Sequence, residues 1–193
     1  FANYFLHQSD VTINLSNGSM DIHNNSSEPW KVTLLETGKD TMTGSRIKMA
    51  QDYVGDEPFM LTYGDGVADI NIKNLIEFHE KHGKAMTMTT AQPEGRFGAL
   101  NLDSNNQVKK FIEKPKGDGS WVNAGYFVCQ TKVFDYISNG NDIVFEESPL
   151  KQLAIDGEIF AYKHTDFWMP MDTLRDKKNL DKMCTDGIAP WMS

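Results

Sequence analysis

The run Phe59-Met-Leu-Thr-Tyr63, cut off by Gly64-Asp65-Gly66, constrains this chain more than any other stretch. Five apolar or β-favouring residues in a row read as a buried strand of an α/β protein. Asp65 then stands just past the carboxyl end of that strand, where open α/β sheets bind their ligands. The flanking glycines carry no Cβ, so backbone there can approach a substrate closely. A carboxylate in that place suits a hard divalent cation such as Mg2+, which bridges protein oxygens to substrate phosphates. A plain turn is the competing reading, because Asp and Gly are ordinary turn residues. This segment alone leaves both open.

Strand and helix patterns alternate along the rest of the chain. Residues 11–15, 20–23, 32–35, 85–90, 121–129 and 159–162 read as strands, and 99–102 with 108–112 as a hairpin around Asp103-Ser-Asn-Asn106. Helical spacing covers 41–53, 72–82, 132–137, 146–155 and 173–183, with Gly83 ending the second of these. That order predicts an α/β sandwich, and the antiparallel hairpin predicts a mixed sheet. Phe1 to Leu6 resembles the closing turns of an amphipathic helix with no N-cap before it. The expectation is a fragment that begins mid-element.

At 193 residues and 39% hydrophobic, the chain is expected to form a single domain over 1–193 with a sizeable core. A net charge of −8, with the acids dispersed, argues against a nucleic-acid surface. No apolar run approaches bilayer length, and no basic start precedes an apolar core. A cytoplasmic protein without a membrane partner is therefore expected. Cys129 and Cys184 stand far apart and lack metal-ligand spacing, which fits a reducing compartment. His79 and His82, three apart on a helix, read as packing or surface residues rather than ligands.

Three further segments combine tight turns with charge. Glu113 and Lys114 close a strand before Pro115; there Lys114 could neutralise a phosphate and Glu113 could accept from sugar hydroxyls. A surface loop with solvated charges is the plainer reading of that pair. Asp172 directly precedes a helical pattern, so its simplest role is N-cap, although such helix starts also face the ligand cleft. Thr41 to Arg46 sets hydroxyls and a guanidinium at a helix start, an anion-binding arrangement, with Arg46 as an ordinary exposed residue the alternative.

In order and spacing these segments resemble the sugar-1-phosphate nucleotidylyltransferases. Glu28-Pro-Trp30, Thr43-Gly-Ser-Arg46, Thr62 to Asp69, Gly95 to Leu100, Phe111 to Gly119, Val122 to Phe127 and Met171 to Asp176 carry the likeness along nearly the whole chain. The resemblance implies a Rossmann-like nucleotide-diphospho-sugar transferase fold, a mixed central sheet flanked by helices. Within the family it points to CTP and glucose 1-phosphate as substrates, with CDP-glucose and pyrophosphate as products. By the same resemblance Asp65 and Asp172 hold Mg2+ and Lys114 meets the sugar phosphate. Glu113 and Asn123 then serve the glucose hydroxyls, and Thr41, Arg46 and Gly64 line the nucleotide side. It further implies a homo-oligomer at full length and a product destined for surface polysaccharide such as lipopolysaccharide O-antigen.

One departure stands against this. The family's opening strand and its Gly-Gly-x-Gly-Thr-Arg loop, which wraps the triphosphate, have no counterpart in these residues. The expectation is an incomplete, inactive fragment whose base preference rests on similarity alone. A dTTP- or UTP-using relative, a metal-dependent glycosyltransferase and a non-catalytic fragment stay open as alternatives. Lys114 and the lack of Asp-x-Asp at the strand end count against the glycosyltransferase.

Overall fold

In a computed structural model all residues are described except 2, 94–98, 103, 113–119 and 193. Glu113 and Lys114 therefore lie outside the described residues. The chain divides into two compact units, Phe1–Glu36 and Thr37–Ser193.

The first unit holds a one-turn helix α1 (Tyr4–His7) and a ribbon of β1 (Ser9–Asn14) and β2 (Ser19–Asn25). The antiparallel register sets Val11 opposite Ile22 and Ile13 opposite Met20, so these four side chains share one face. Polar groups take the other face: Thr12 Oγ1 meets His23 Nε2 at 2.8 Å, and Asn24 donates to Asp10 at 3.0 Å. The strand expected at 32–35 does not form, and those residues have no regular structure. A strand needs a partner for its backbone groups, and none is paired with this stretch.

The second unit is built on a four-stranded sheet in the order β3-β8-β5-β9. Its strands are β3 (Phe59–Thr62), β5 (Met86–Ala91), β8 (Val122–Cys129) and β9 (Ile159–Lys163). β8 runs antiparallel to both neighbours, whereas β5 and β9 are parallel, so the sheet is mixed as expected. The two-residue period of β8 decides the layering. Phe127 and Cys129 enter one core with Phe134, Phe145 and Leu153, while Val128 enters another with Ile70 and Leu75 of the opposite layer.

Helix α4 (Ile72–His82) covers the second core; Asn71 accepts from Asn74 N–H as its cap, and Gly83 ends it in the left-handed region. The helix expected over 41–53 is two pieces, α2 (Thr43–Met49) and α3 (Gln51–Val54), parted at Ala50. Residues 131–136 wind as a 3-10 turn rather than the expected α-helix, with Ile137 N–H reaching back only to Phe134. β6 (Ala99–Leu102) and β7 (Val108–Ile112) form the hairpin read from the sequence, as a ladder of their own outside the central sheet. Helix α5 (Ser148–Ile155) and a closing helix α6 (Leu174–Thr185) complete the unit. Among the described residues no helix is long and apolar enough to cross a membrane.

Two short strands escape sequence reading altogether. β4 (Gly66–Ala68) and β10 (Trp168–Pro170) pair antiparallel, Gly66 opposite Pro170 and Ala68 opposite Trp168. This ladder builds the site.

Candidate active site

Side chains Phe59, Leu61 and Tyr63 alternate into the first core, and Asp65 is the next residue of that series. Tyr63 is where core gives way to cleft. Its N–H bonds Gly125 C=O at 3.0 Å, and its hydroxyl donates to Glu146. Glu146 also accepts from Thr43 Oγ1 at 2.9 Å, so one carboxylate ties the start of α2 to the cleft wall. Burial, the bond to Glu146 and the charges of Glu146 and Asp65 all push the Tyr63 phenol well up, against a smaller opposing pull from Asn123. It stays a neutral donor at any physiological pH.

Beyond Tyr63 the β4/β10 ladder takes over. Met171 N–H bonds Asp65 C=O at 2.6 Å, one step past the Gly66–Pro170 pair, so Asp172 follows immediately. Two anchors hold the ladder to β8: Tyr126 donates to Gly66 C=O at 2.7 Å, and Trp168 Nε1 to Ala124 C=O at 2.8 Å. As a result Asp65 and Asp172, far apart in the chain, line one cavity of about 230 Å³ together with Tyr63, Asn123, Gly125 and Trp168.

Helix α6 is capped by Thr173, not by Asp172. Thr173 Oγ1 accepts Asp176 N–H at 3.2 Å while Asp176 accepts Thr173 N–H at 2.9 Å, a capping box. The cap role read from sequence for Asp172 is thus corrected, and Asp172 instead lines the cavity.

Gly125 is required where it stands. Two residues of β5 span four of β8 at this point, from Met88–Phe127 to Thr90–Asn123, and Gly125 takes up the bulge at φ +80°. A Cβ there would lie 2.9 Å from the Tyr63 ring. Asn123 Oδ1 accepts Gly125 N–H at 2.8 Å, while its side chain also hydrogen-bonds the Tyr63 phenol. At Gly64 an added Cβ meets nothing within 4 Å, so that backbone is open on its outer side.

Thr41 and Arg46 are placed differently from the cavity residues. Arg46 turns back on its own loop, donating to Thr41 C=O at 2.8 Å, to Lys39 C=O at 3.2 Å and to the Thr37 hydroxyl. Thr41 is buried. Arg46 shapes segment 37–41 rather than projecting from it. Sequence reading missed Glu146, which looks like a first-turn acid of a helix that in fact starts at Ser148.

A larger cavity, about 530 Å³, lies by Asp52, Asp56, Lys132 and Asp135. Its lining residues follow the end of β8 and precede the start of β3, at the opposite end of β3 from Asp65, and Lys132 is paired with Glu158 at 3.1 Å. The smaller cavity is the one that brings Asp65 and Asp172 together. Among the described residues no cationic side chain lines it, and neither Asp65 nor Asp172 has an ion-pair partner. Two such carboxylates fit Mg2+, which takes one or two protein carboxylates and leaves its other positions to water and phosphate. Among the described residues no cluster of three or more acidic, His or Cys ligands forms a closed metal cage. Cys129 is buried, its thiol pushed up to about 12 by desolvation, and is chemically quiet.

A family model described as nucleotidyl transferase matches residues 16–168. The glucose-1-phosphate cytidylyltransferase of Salmonella typhi is 51% identical over 192 residues, 99% of this chain and 74% of its own length. This chain belongs to that family. The probable glucose-1-phosphate cytidylyltransferase of Bacillus subtilis (strain 168) is 41% identical over 191 residues, again 99% of this chain and 74% of the relative. Among solved structures, HddC from Yersinia pseudotuberculosis superposes with a TM-score of 0.55 at 20% identity, covering 77% of this chain and 64% of the other. UDP-glucose pyrophosphorylase complexed with UDP-glucose gives a TM-score of 0.57 at 13% identity, covering 79% and 65%. At such identities the solved structures establish the shared nucleotide-sugar transferase fold, the one expected from the sequence.

Proposed function

We propose that the cavity of Asp65 and Asp172 is the metal and phosphate end of a site that joins CTP to glucose 1-phosphate, giving CDP-glucose and pyrophosphate. A phosphate oxygen of the sugar phosphate attacks the α-phosphorus of CTP in line. The bond from that phosphorus to the bridging oxygen breaks, and pyrophosphate leaves with the electron pair. The nucleophile is already anionic, so positioning and charge neutralisation carry the catalysis without a protein base.

The observation behind this reading is the convergence of Asp65 and Asp172 on one cavity with no cation among its described lining residues. A bound Mg2+ would supply positive charge against the phosphates, held by these two carboxylates. Tyr63, kept neutral, walls the cleft, and Asn123 beside it serves the sugar hydroxyls by resemblance. By resemblance Thr41 and Arg46 serve the nucleotide side through the loop that Arg46 shapes, together with the open backbone of Gly64. By resemblance Lys114 neutralises the sugar phosphate and Glu113 accepts from the glucose ring. The same reading carries a cytoplasmic homo-oligomer supplying activated glucose for surface polysaccharide such as O-antigen.

The test is pyrophosphate release from CTP and glucose 1-phosphate with Mg2+, set against transfer from CDP-glucose to an acceptor. In a full-length parent, Asp65→Asn or Asp172→Asn should each lower turnover by about two orders of magnitude or more with the fold retained, because an amide cannot supply the ligating charge. Lys114→Ala should weaken use of glucose 1-phosphate far more than use of CTP. Full Mg2+-dependent turnover in either aspartate variant would overturn the pairing.

A further inference from the structure

The ladder that brings Asp65 and Asp172 together is only three residues long on each strand. A ladder so short has little register of its own, and a slip of one residue would turn its side chains to the opposite face. Its ends therefore decide where the carboxylates point. One end is the Met171–Asp65 bond beside the cavity. At the other, Asp69 N–H bonds Phe167 C=O at 3.3 Å.

That same carbonyl accepts from His164 Nε2 at 2.8 Å. His164 is itself buried, and its backbone N–H bonds Thr90 C=O of the central strand β5 at 2.8 Å. Asp69 Oδ1 lies 3.1 Å from the same Nε2 and is otherwise buried without a partner among the described residues. The single Nε2–H is directed at the Phe167 carbonyl, so Asp69 acts by proximity. Its charge favours the tautomer that carries the proton on Nε2, the one the Phe167 bond requires. Central sheet, imidazole and ladder are thus connected in series.

We infer that His164, tuned by Asp69, is a positioning residue that locks the β4/β10 register and so holds Asp65 and Asp172 at one metal. The inference rests on the metal reading given above. It assigns His164 no contact with substrate.

The probe is Mn2+ alone, titrated by electron paramagnetic resonance into the full chain, with kcat and KM measured alongside. His164→Asn is too short to reach Phe167, whereas His164→Gln sets an amide N–H about where Nε2 stands. His164→Asn should weaken Mn2+ binding and lower kcat by about tenfold, within the range for groups that orient metal ligands, leaving KM for glucose 1-phosphate within about twofold. His164→Gln should recover most of both. Equal loss in the two variants, or no loss in His164→Asn while Asp65→Asn loses Mn2+, would overturn the positioning role alone. Unchanged Mn2+ binding in Asp65→Asn would instead overturn the metal reading beneath it. If His164→Asn fails to melt cooperatively, amide exchange at Met171 in His164→Gln decides. Mn2+ affinity that falls while Met171 stays protected overturns the inference; affinity and protection that move together support it.

Discussion

The two units of this molecule are written in the same alternating code, yet only one of them has an interior. In Phe1–Glu36 no described residue is buried, and Val11, Ile13, Met20 and Ile22 make a face that nothing within the unit covers. In Thr37–Ser193 the same alternation along β8 feeds two cores, because layers stand on both sides of the sheet. A two-stranded ribbon is marginal in water until its apolar face is packed. Alternation makes strands; covering layers make stability.

The largest effect expected is at Phe127, which is fully buried. Phe127→Ala should cost about 3–5 kcal/mol by urea unfolding, and Ile13→Ala in the ribbon only about 0.5 kcal/mol. Comparable costs would show that the ribbon face is covered in solution, which breaks the contrast. Next comes Gly125→Ala, which combines a left-handed backbone with a collision against Tyr63. It should destabilise by about 1–3 kcal/mol and lower turnover more than melting predicts, since Tyr63 walls the site.

A gain is expected at Thr89, whose buried hydroxyl has no hydrogen-bond partner among the described residues. Thr89→Val keeps the shape and should stabilise by about 1 kcal/mol, whereas Thr12→Val in the ribbon, which removes the bond to His23, should be neutral or slightly harmful.

The smallest effect is a pH slope confined to the second unit. Thr87 Oγ1 bonds His79 Nδ1 at 2.9 Å and His82 Nε2 at 2.6 Å, while His82 Nδ1 accepts Lys84 N–H at 3.0 Å. A proton on His82 Nδ1 would cost that last bond. Burial lowers both imidazoles, aided for His79 by His82 and for His82 by Lys84. With folded values depressed, the unfolded chain binds more protons below its own value of about 6.5. Stability should be full above that pH and fall on acidification, until the folded imidazoles protonate too. Thermal melts across pH 5 to 8 would check this, and a slope that survives in a His79→Gln, His82→Gln double variant would assign it elsewhere.

The legible parts of the fold were those whose signals are local. The apolar run into Gly64-Asp65-Gly66, the Asn71 cap with Gly83, and the turn residues 104–105 between β6 and β7 each carry their own instruction. The ladder of β4 and β10 does not. Gly66 and Pro170 are poor strand residues, and what makes them pair are Tyr126 and Trp168 bonds to backbone distant in sequence. Asp65 could therefore be read from its surroundings, while its partnership with Asp172 rested on family likeness. Glu146 had no signal, since an acid before Ser-Pro looks like helix chemistry rather than a clamp on Tyr63. The 32–35 stretch failed the other way, with strand composition and no strand to pair with.

The register of Gly66 opposite Pro170 also sets an order of events in the life of the chain. About a hundred residues of loop must close before those strands meet, and closure entropy is spent before the contact returns anything. Asp65 leaves the ribosome well before Asp172, on a strand whose one sheet neighbour, β8, is still to be made. Asp172 arrives when the sheet is otherwise finished. The two carboxylates, which would repel each other across a half-built cleft, can meet only after all four strands of the central sheet have been made.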